Sequence, residues 1–229
     1  MLFPTDVGLS LLTALTNDTS IAFHGRRVLD VGCGSGLYTV AALHDGALHV
    51  TATDINPACA EATLHNVIRN GLDESAVTTT VADLSHLDVD QPWDLVVCNP
   101  PHFPGDPAYA AGDGIEAALV GGRDGRALYD VLLERLDDLL APGGTLLLTH
   151  SSLTDVQRTT KHLTQRGYQV RTLQIVELDI PLRRYAAQRD LLLARLYPLR
   201  TLGRAAFRGL RFEVHTLAAT RGSTSEESR

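Results

Sequence analysis

The feature that most constrains the fold is a regular alternation of short apolar segments with longer amphipathic segments. Short apolar segments are typical of buried parallel strands, and amphipathic segments between them are typical of crossover helices. The pattern predicts an α/β fold, with a seven-stranded mainly parallel sheet and helices on both faces. Strands are predicted near residues 27–31, 48–53, 77–81, 94–98, 144–149, 168–176 and 211–219, and helices over 7–16, 36–44, 57–69, 126–140 and 154–166.

Two segments interrupt this alternation. Residues 102–125 form a long loop rich in glycine, proline, aspartate and alanine, which we interpret as a lid because such loops in compact domains are often functional. Residues 178–210 form an arginine-rich, helical insertion before the last strand, which is either a recognition surface or an amphipathic helix that shields the sheet edge. We predict one domain over residues 1–221 and a disordered polar tail over 222–229.

Local signals place two helix ends. Asn56 is a good N-cap and Pro57 suits the first helical position, so we expect a helix to begin there. The Pro142-Gly143-Gly144 segment removes a backbone donor and permits positive φ, so we expect it to end the helix over residues 126–140.

Composition narrows the classes of function. Cys33, Cys59 and Cys98 have no CxxC spacing and no HxxxH or HExxH motif occurs, so we predict free thiols and no metal site. The net charge of −7 disfavours a large nucleic-acid surface, although the arginines of the insertion leave room for a local basic patch. No apolar run approaches the roughly 18 residues of a membrane span, and no secretory signal is evident. We therefore expect a soluble, cytoplasmic protein.

A glycine-rich turn follows the first predicted strand. Gly32, Gly34 and Gly36 come directly after Asp30 and before a predicted helix, so the backbone can approach a ligand closely. Asp54 ends the second predicted strand about 20 residues later, where its carboxylate can accept hydrogen bonds from ribose hydroxyls. Together these residues predict a nucleoside-containing ligand.

The segment Asn99-Pro100-Pro101-His102 follows the fourth predicted strand, at the edge where open α/β sheets bind their ligands. The Asn99 side-chain oxygen and the Pro100 carbonyl can both accept hydrogen bonds from one amino group, and the prolines stiffen the backbone that carries them. We therefore predict that Asn99 and Pro100 hold a nitrogen nucleophile.

Both motifs resemble those of class I methyltransferases, which use S-adenosylmethionine (SAM) as methyl donor. The glycine-rich turn resembles their motif I, with NAD binding as the minor alternative. Asp54, followed by Ile55, matches their ribose-binding acid, and Asp83, followed by Leu84, matches the position that contacts the adenine amino group. An Asn-Pro-Pro-aromatic motif is the signature of members that methylate planar nitrogens. The resemblance implies a Rossmann-like fold, SAM as cofactor, and contacts from these residues and Asn99 to it.

A narrower resemblance is to the release-factor glutamine methyltransferases and their short relatives. Residues 116–125 resemble their E-x-A-L-x-G-G-x-D-G stretch, and residues 2–6 resemble the segment that covers the cofactor. The resemblance covers most of residues 1–150 and fades beyond about 180. The helical recognition domain of the full-length enzymes has no counterpart in this sequence, and only the insertion over 178–210 is a candidate replacement.

His102 stands where the family carries an aromatic residue. It is predicted to stack on or contact the substrate, to accept a proton with an ordinary pKa of ~6.5, or to play a structural part, and Phe103 is a candidate to take over the stacking. The candidate substrate contacts are Phe103, Tyr109, Arg123 and His150.

We predict a SAM-dependent N-methyltransferase that acts on an amine or amide nitrogen of a small molecule, an amino acid or a protein side chain. The acidic chain and the missing recognition domain favour a small substrate, in specialised metabolism. One alternative is an enzyme that cyclises SAM itself to a product such as azetidine-2-carboxylate and releases methylthioadenosine. The others are a nucleic-acid N-methyltransferase and a SAM-binding regulatory module. The oligomeric state is left open.

Overall fold

The structure is a computed structural model that describes residues 5–106, 118–181 and 189–222. The strands of this part of the chain are Arg27–Val31 (β1), His49–Asp54 (β2), Val77–Val81 (β3), Trp93–Cys98 (β4), Leu140–Ser151 (β5), Tyr168–Asp179 (β6) and Arg211–Arg221 (β7). They form one sheet in the order β3-β2-β1-β4-β5-β7-β6. Strand β7 runs antiparallel to β5 and β6, and the other pairs are parallel, which confirms the predicted mainly parallel sheet.

Helices cover both faces of this sheet because successive strand residues point to opposite faces. Val28 packs in an apolar cluster with Leu11 and Tyr38 on one face, whereas Leu29 packs with Leu132 on the other. The helices are Asp6–Asn17 (α1), Leu37–His44 (α2), Pro57–Arg69 (α3), Ala127–Leu139 (α4), Val156–Gln165 (α5) and Arg189–Thr201 (α6).

The predicted start of α3 is confirmed. The Asn56 side chain accepts a hydrogen bond from the Ala58 amide at 3.0 Å, and Pro57 occupies the first helical position. The capping side chain satisfies one of the free amides at the helix start, and proline lacks the donor that would otherwise be unpaired there.

The helix predicted over 126–140 ends where expected, to within one residue, but the Pro142-Gly143-Gly144 segment is not what ends it. Helix α4 ends at Leu139, and residues 142–144 lie inside β5, where the pairing with β4 shifts register between Trp93 and Leu95. Gly143 adopts a φ of +77° in this irregular part of the strand. The Pro-Gly-Gly segment therefore bends the strand at a bulge and does not end the helix.

The strand order places the two predicted motifs side by side. Strands β1 and β4 are neighbours, and Val31 pairs with Cys98 at their carboxyl ends. The chain order of the strands reverses between these two strands, and ligands of open α/β sheets bind at such a point. The glycine-rich turn after β1 and Asn99 after β4 therefore share one edge of the sheet.

The insertion before β7 contains the predicted helix, α6. Leu192 and Leu196 on α6 pack in an apolar cluster with Phe103 from the loop after β4 and with Phe212 at the start of β7. The apolar face of α6 thus packs against the loop that carries the Asn-Pro-Pro motif, and it also covers the start of β7. Among the described residues of the insertion, Arg200, Arg204 and Arg208 are exposed.

Some predictions concern residues outside the described part of the chain. These are residues 2–4 of the segment that resembles a cofactor cover, the middle of the predicted lid at 107–117 with Tyr109 within it, residues 182–188 of the insertion, and the tail from residue 223 onward. The division into one domain and a tail remains a prediction. Among the described residues, no helix combines the length and the apolar character that crossing a bilayer requires.

Candidate active site

The glycine-rich turn leads from β1 into α2. Gly32, Gly34 and Gly36 all have positive φ, a region that side chains with a Cβ rarely adopt. A Cβ on Gly36 would lie 2.8 Å from Cγ2 of Thr63 on α3, so helix packing requires glycine there. A Cβ on Gly32 would meet no described atom within 4 Å, so the backbone at Gly32 faces open space. That space is available to a ligand.

Asp30 is fully buried and holds the start of α2. One of its carboxylate oxygens, Oδ2, accepts hydrogen bonds from the backbone amide and the hydroxyl of Thr39. The other oxygen, Oδ1, is buried without a donor among the described residues. Burial raises the pKa of Asp30 to about 6, with the Thr39 hydrogen bonds opposing the rise. A buried carboxylate oxygen without a donor fits a ligand or a water that supplies one.

Asp54 braces the same turn from the end of β2. Its Oδ2 accepts from the Gly34 amide at 3.0 Å, and its Oδ1 accepts from the Asn56 amide at 2.9 Å. Each carboxylate oxygen keeps further capacity to accept ribose hydroxyls. Ile55, the next residue, is 71 % exposed, which is unusual for a large apolar side chain and leaves it free to pack on a flat ring.

Asp83 lies beside this position at the end of β3, since Asp54 pairs with Val81. Its carboxylate is exposed and accepts from the Ser85 amide and hydroxyl, and these hydrogen bonds lower its pKa. Leu84 corrects one expectation, because its side chain is buried in the core cluster under α4. Only the backbone of Leu84 is therefore left for a cofactor contact. The glycine-rich turn, Asp54, Ile55 and Asp83 together fit an adenosyl group.

Asn99 is half-buried directly after β4. Its side-chain oxygen accepts a hydrogen bond from the Thr149 hydroxyl at 2.6 Å. Its amide nitrogen lies against the start of α1, 3.5 Å from where a Cβ on Gly8 would be. Tyr38 donates to the Gly8 carbonyl at 3.1 Å and fixes this part of α1. Sequence reasoning did not single out Gly8, Tyr38 or Thr149.

His102 is buried beside the second predicted acceptor. Its Nδ1 donates to the Pro100 carbonyl at 3.3 Å, and its ring packs against Phe103 and Phe212, with centroids 4.5 and 5.7 Å away. With the proton on Nδ1, Nε2 is a buried acceptor that has no partner among the described residues. Burial lowers the pKa of His102 to about 4, so the ring is neutral at neutral pH. This environment favours packing and support of Pro100 over the predicted role of proton acceptor.

The remaining substrate candidates lie in different surroundings. Phe103 is 2 % exposed and packs in the apolar cluster with α6, so stacking on a substrate would require this loop to open. Arg123 is exposed. The ends of the predicted lid are joined, since the Phe103 amide donates to the Leu119 carbonyl and the Gly121 amide to the Phe103 carbonyl. The two described ends of the predicted lid are therefore paired with each other by backbone hydrogen bonds.

The expectation that His150 contacts the substrate is wrong. Its ring is fully buried, stacks on Tyr129 with centroids 4.3 Å apart, and bonds to the Thr159 hydroxyl through Nε2 at 2.8 Å. Arg126, which is also buried, donates to Thr159 from the same side. The reason is strand alternation, which points His150 toward α4 and α5 and away from Asn99.

The chain is similar to known methyltransferases. Residues 5–100 match the family of ribosomal protein L11 methyltransferases (PrmA). Over 144 residues the chain is 32% identical to the methyltransferase HEMK2 of Homo sapiens. The aligned region covers 62% of this chain and 67% of that protein. The chain belongs to the class I SAM-dependent methyltransferases. This methyltransferase therefore uses SAM as its cofactor.

Two further relatives bear out the narrower resemblance. The methyltransferase is 29% identical over 145 residues to a putative protein N5-glutamine methyltransferase of Methanocaldococcus jannaschii, covering 63% of this chain and 72% of the relative. It is 38% identical over 130 residues to a release factor glutamine methyltransferase of Rhodospirillum rubrum, covering 53% of this chain and 39% of that enzyme. The predicted relationship to the release-factor glutamine methyltransferases is thus confirmed.

The fold of the methyltransferase also matches solved structures. One is the Mtq2–Trm112 complex of E. cuniculi, responsible for the methylation of the eRF1 translation termination factor. The TM-score is 0.60 at 20% sequence identity, and the match covers 96% of this chain and 98% of the other. The similarity at this identity shows the shared fold.

The buried histidines make folding sensitive to acid. Burial lowers the pKa of His102 to about 4 and of His150 to about 3, from 6.5, so the unfolded chain binds more protons as the pH falls below about 6.5. Asp30 has a raised pKa in the folded protein, so below about pH 6 its protonation increases stability. This single group offsets only part of the effect of the two histidines. We expect the unfolding temperature to drop by about 5 °C or more between about pH 7.5 and about pH 5, measured by calorimetry. His150→Phe should reduce this drop, and an unfolding temperature that does not change with pH would contradict the assignment of neutral buried rings.

Proposed function

We propose that this methyltransferase transfers a methyl group to the side-chain amide nitrogen of a glutamine in a protein substrate, and that the substrate is a translation release factor. The observation that carries the proposal is the pair of acceptors, Asn99 Oδ1 and the Pro100 carbonyl, beside the glycine-rich turn. The names of the relatives add the glutamine and the release factor.

Two acceptors suit a primary amide because its planar NH₂ group presents two donors in one plane. Thr149 and His102 each donate to one of these oxygens, and each oxygen keeps one lone pair for the substrate. Accepting both N–H groups fixes the nitrogen and increases its electron density. Asn99 and Pro100 thereby offset the delocalisation that makes an amide nitrogen a poor nucleophile.

The chemistry needs little beyond this positioning. Bound SAM supplies a methyl group already activated on a sulfonium. The bond between carbon and sulfur breaks as the bond between carbon and nitrogen forms, and the nitrogen then loses a proton to water. His102 is not required as a base, which agrees with the burial that lowers its pKa to about 4 and makes it a weak proton acceptor.

A protein substrate differs from the small substrate that the sequence favours. That expectation depended on the acidic chain and on the absence of a recognition domain. The exposed Arg200, Arg204 and Arg208 lie on the insertion, whose apolar face packs against Phe103 in the loop after β4, so we expect the insertion to contact a protein substrate. A protein substrate therefore does not depend on a separate recognition domain.

An acceptor panel tests the proposal. Purified protein and SAM are incubated with the release factors of the same organism, with free glutamine, with transfer RNA, or with no acceptor, and all products are identified by mass spectrometry. We expect S-adenosylhomocysteine and a methylated glutamine only with a release factor. Methylation of free glutamine or of RNA alone would reject the protein substrate, and methylthioadenosine formed without an acceptor would support cyclisation of SAM instead.

A further inference from the structure

The Thr149 side chain forms a hydrogen bond with Asn99 in the candidate active site. Thr149 is 1 % exposed, and its hydroxyl donates to Asn99 Oδ1 at 2.6 Å. Leaving a buried hydroxyl without a partner is costly, and within residues 5–106, 118–181 and 189–222 the Asn99 oxygen is the acceptor of the Thr149 hydroxyl. The bond therefore defines which end of the Asn99 amide faces Thr149.

The sheet register explains why these two side chains meet. Val97 pairs with Leu147 and Cys98 with Leu148, so the next pair in the same register is Asn99 with Thr149. Val97 and Leu147 belong to the cluster on the α1 face of the sheet, and alternation places residues two positions further on that same face. The contact follows from strand pairing and does not depend on loop conformation.

We infer that Thr149 is a positioning residue that sets the orientation of the Asn99 amide for catalysis. The inference rests on the proposed role of Asn99 as an acceptor for the substrate amide. The terminal torsion of asparagine is broad and nearly two-fold, so an unrestrained amide exchanges its oxygen and nitrogen ends. In the flipped orientation the Asn99 NH₂ group faces the substrate NH₂ group, and two donors oppose each other. The Thr149 hydroxyl holds the orientation in which the oxygen is available.

Three variants isolate this role. Thr149→Val removes the hydroxyl at nearly constant volume, and Thr149→Ser keeps it. Thr216→Val is the matched control, because Thr216 pairs with Thr149 across β7, is equally buried, and its hydroxyl has no partner among the described residues. Unfolding temperatures verify that each variant is folded.

The first readout is the side-chain amide resonance pair of Asn99 in the protein without substrate, assigned by its loss in Asn99→Ala. We expect Thr149→Val to shift and broaden this pair, Thr149→Ser to restore it, and Thr216→Val to leave it unchanged. An Asn99 pair that is equally sharp and unshifted in Thr149→Val would overturn the inference. This readout needs no methyl acceptor, so it remains decisive if the proposed substrate is wrong.

The second readout is turnover of the methyl acceptor. We expect Thr149→Val to lower kcat by about tenfold with little change in the affinity for S-adenosylhomocysteine, and Thr149→Ser to recover most of the rate. In the Asn99→Ala background Thr149→Val should cost nothing further, since both changes remove one function. Additive losses, or an equal loss in Thr216→Val, would assign Thr149 a merely structural part. Failure of wild-type turnover on any glutamine would instead reject the proposed function.

Discussion

Replacing Asn99 with alanine is expected to lower the rate of methyl transfer by about a hundredfold or more. The substitution removes the Oδ1 acceptor that holds the substrate nitrogen, and it leaves the Thr149 hydroxyl buried without an acceptor. The Pro100 carbonyl remains, supported by His102, but a single acceptor leaves the amide free to rotate. Single-turnover rates measured at saturating SAM report this loss directly.

The control for this variant is Asn70→Ala. Asn70 is exposed at the end of α3, and its side-chain amide donates to the Asn66 carbonyl. We expect Asn70→Ala to retain wild-type turnover, and saturating SAM separates the loss of chemistry in Asn99→Ala from any loss of cofactor affinity. Near-normal turnover in Asn99→Ala would remove the residue from the reaction.

Replacing Asp54 with alanine is expected to weaken SAM binding by about tenfold or more. The carboxylate is predicted to accept the ribose hydroxyls, and it also accepts from the Gly34 and Asn56 amides. Both losses weaken SAM binding, because the glycine-rich turn loses the hydrogen bonds that hold it and the ligand loses an acceptor. Calorimetric titration with S-adenosylhomocysteine measures the effect without any methyl acceptor.

Asp73→Ala is the matched control for Asp54→Ala. Asp73 is an exposed aspartate that accepts from the Ser75 amide and hydroxyl in a short turn before β3. It has the same local chemistry as Asp54 but lies away from the carboxyl edge of the sheet. Unchanged affinity in Asp54→Ala, or an equal loss in both variants, would contradict the assignment of Asp54 to the cofactor.

The sequence was sufficient for most of the fold because its strands and helices are strongly patterned. The start of α3 at Pro57 depends on a local cap, and the predicted boundary matches the structure. The start of β5 was misplaced, near residue 144 and not at Leu140, because Pro142 and Gly143 suit a helix end and a strand bulge equally well. Only the register between β4 and β5 distinguishes these, and register is a property of two strands.

The same limitation explains the errors at the candidate site. The position of a residue along its strand shows whether it lies near the carboxyl edge of the sheet. The face of the sheet to which its side chain points follows from the alternation of side chains along the strand. His150 follows Leu148 onto the α4 face, whereas Thr149 follows Leu147 onto the face of Asn99. Once β4 and β5 are known to pair, counting from Val97 identifies Thr149 as the neighbour of Asn99. Sequence alone does not supply that pairing.

The proposed role of Asn99 is to hold a glutamine amide nitrogen for methylation. It is tested most directly by mass-spectrometric sequencing of the release factor after reaction with wild-type protein or with Asn99→Ala, with S-adenosylhomocysteine quantified in the same sample. We expect one methyl group on a glutamine side-chain nitrogen for each S-adenosylhomocysteine formed by wild type, and almost none of either with Asn99→Ala. A methyl group on another atom, or equal modification by both proteins, would contradict it.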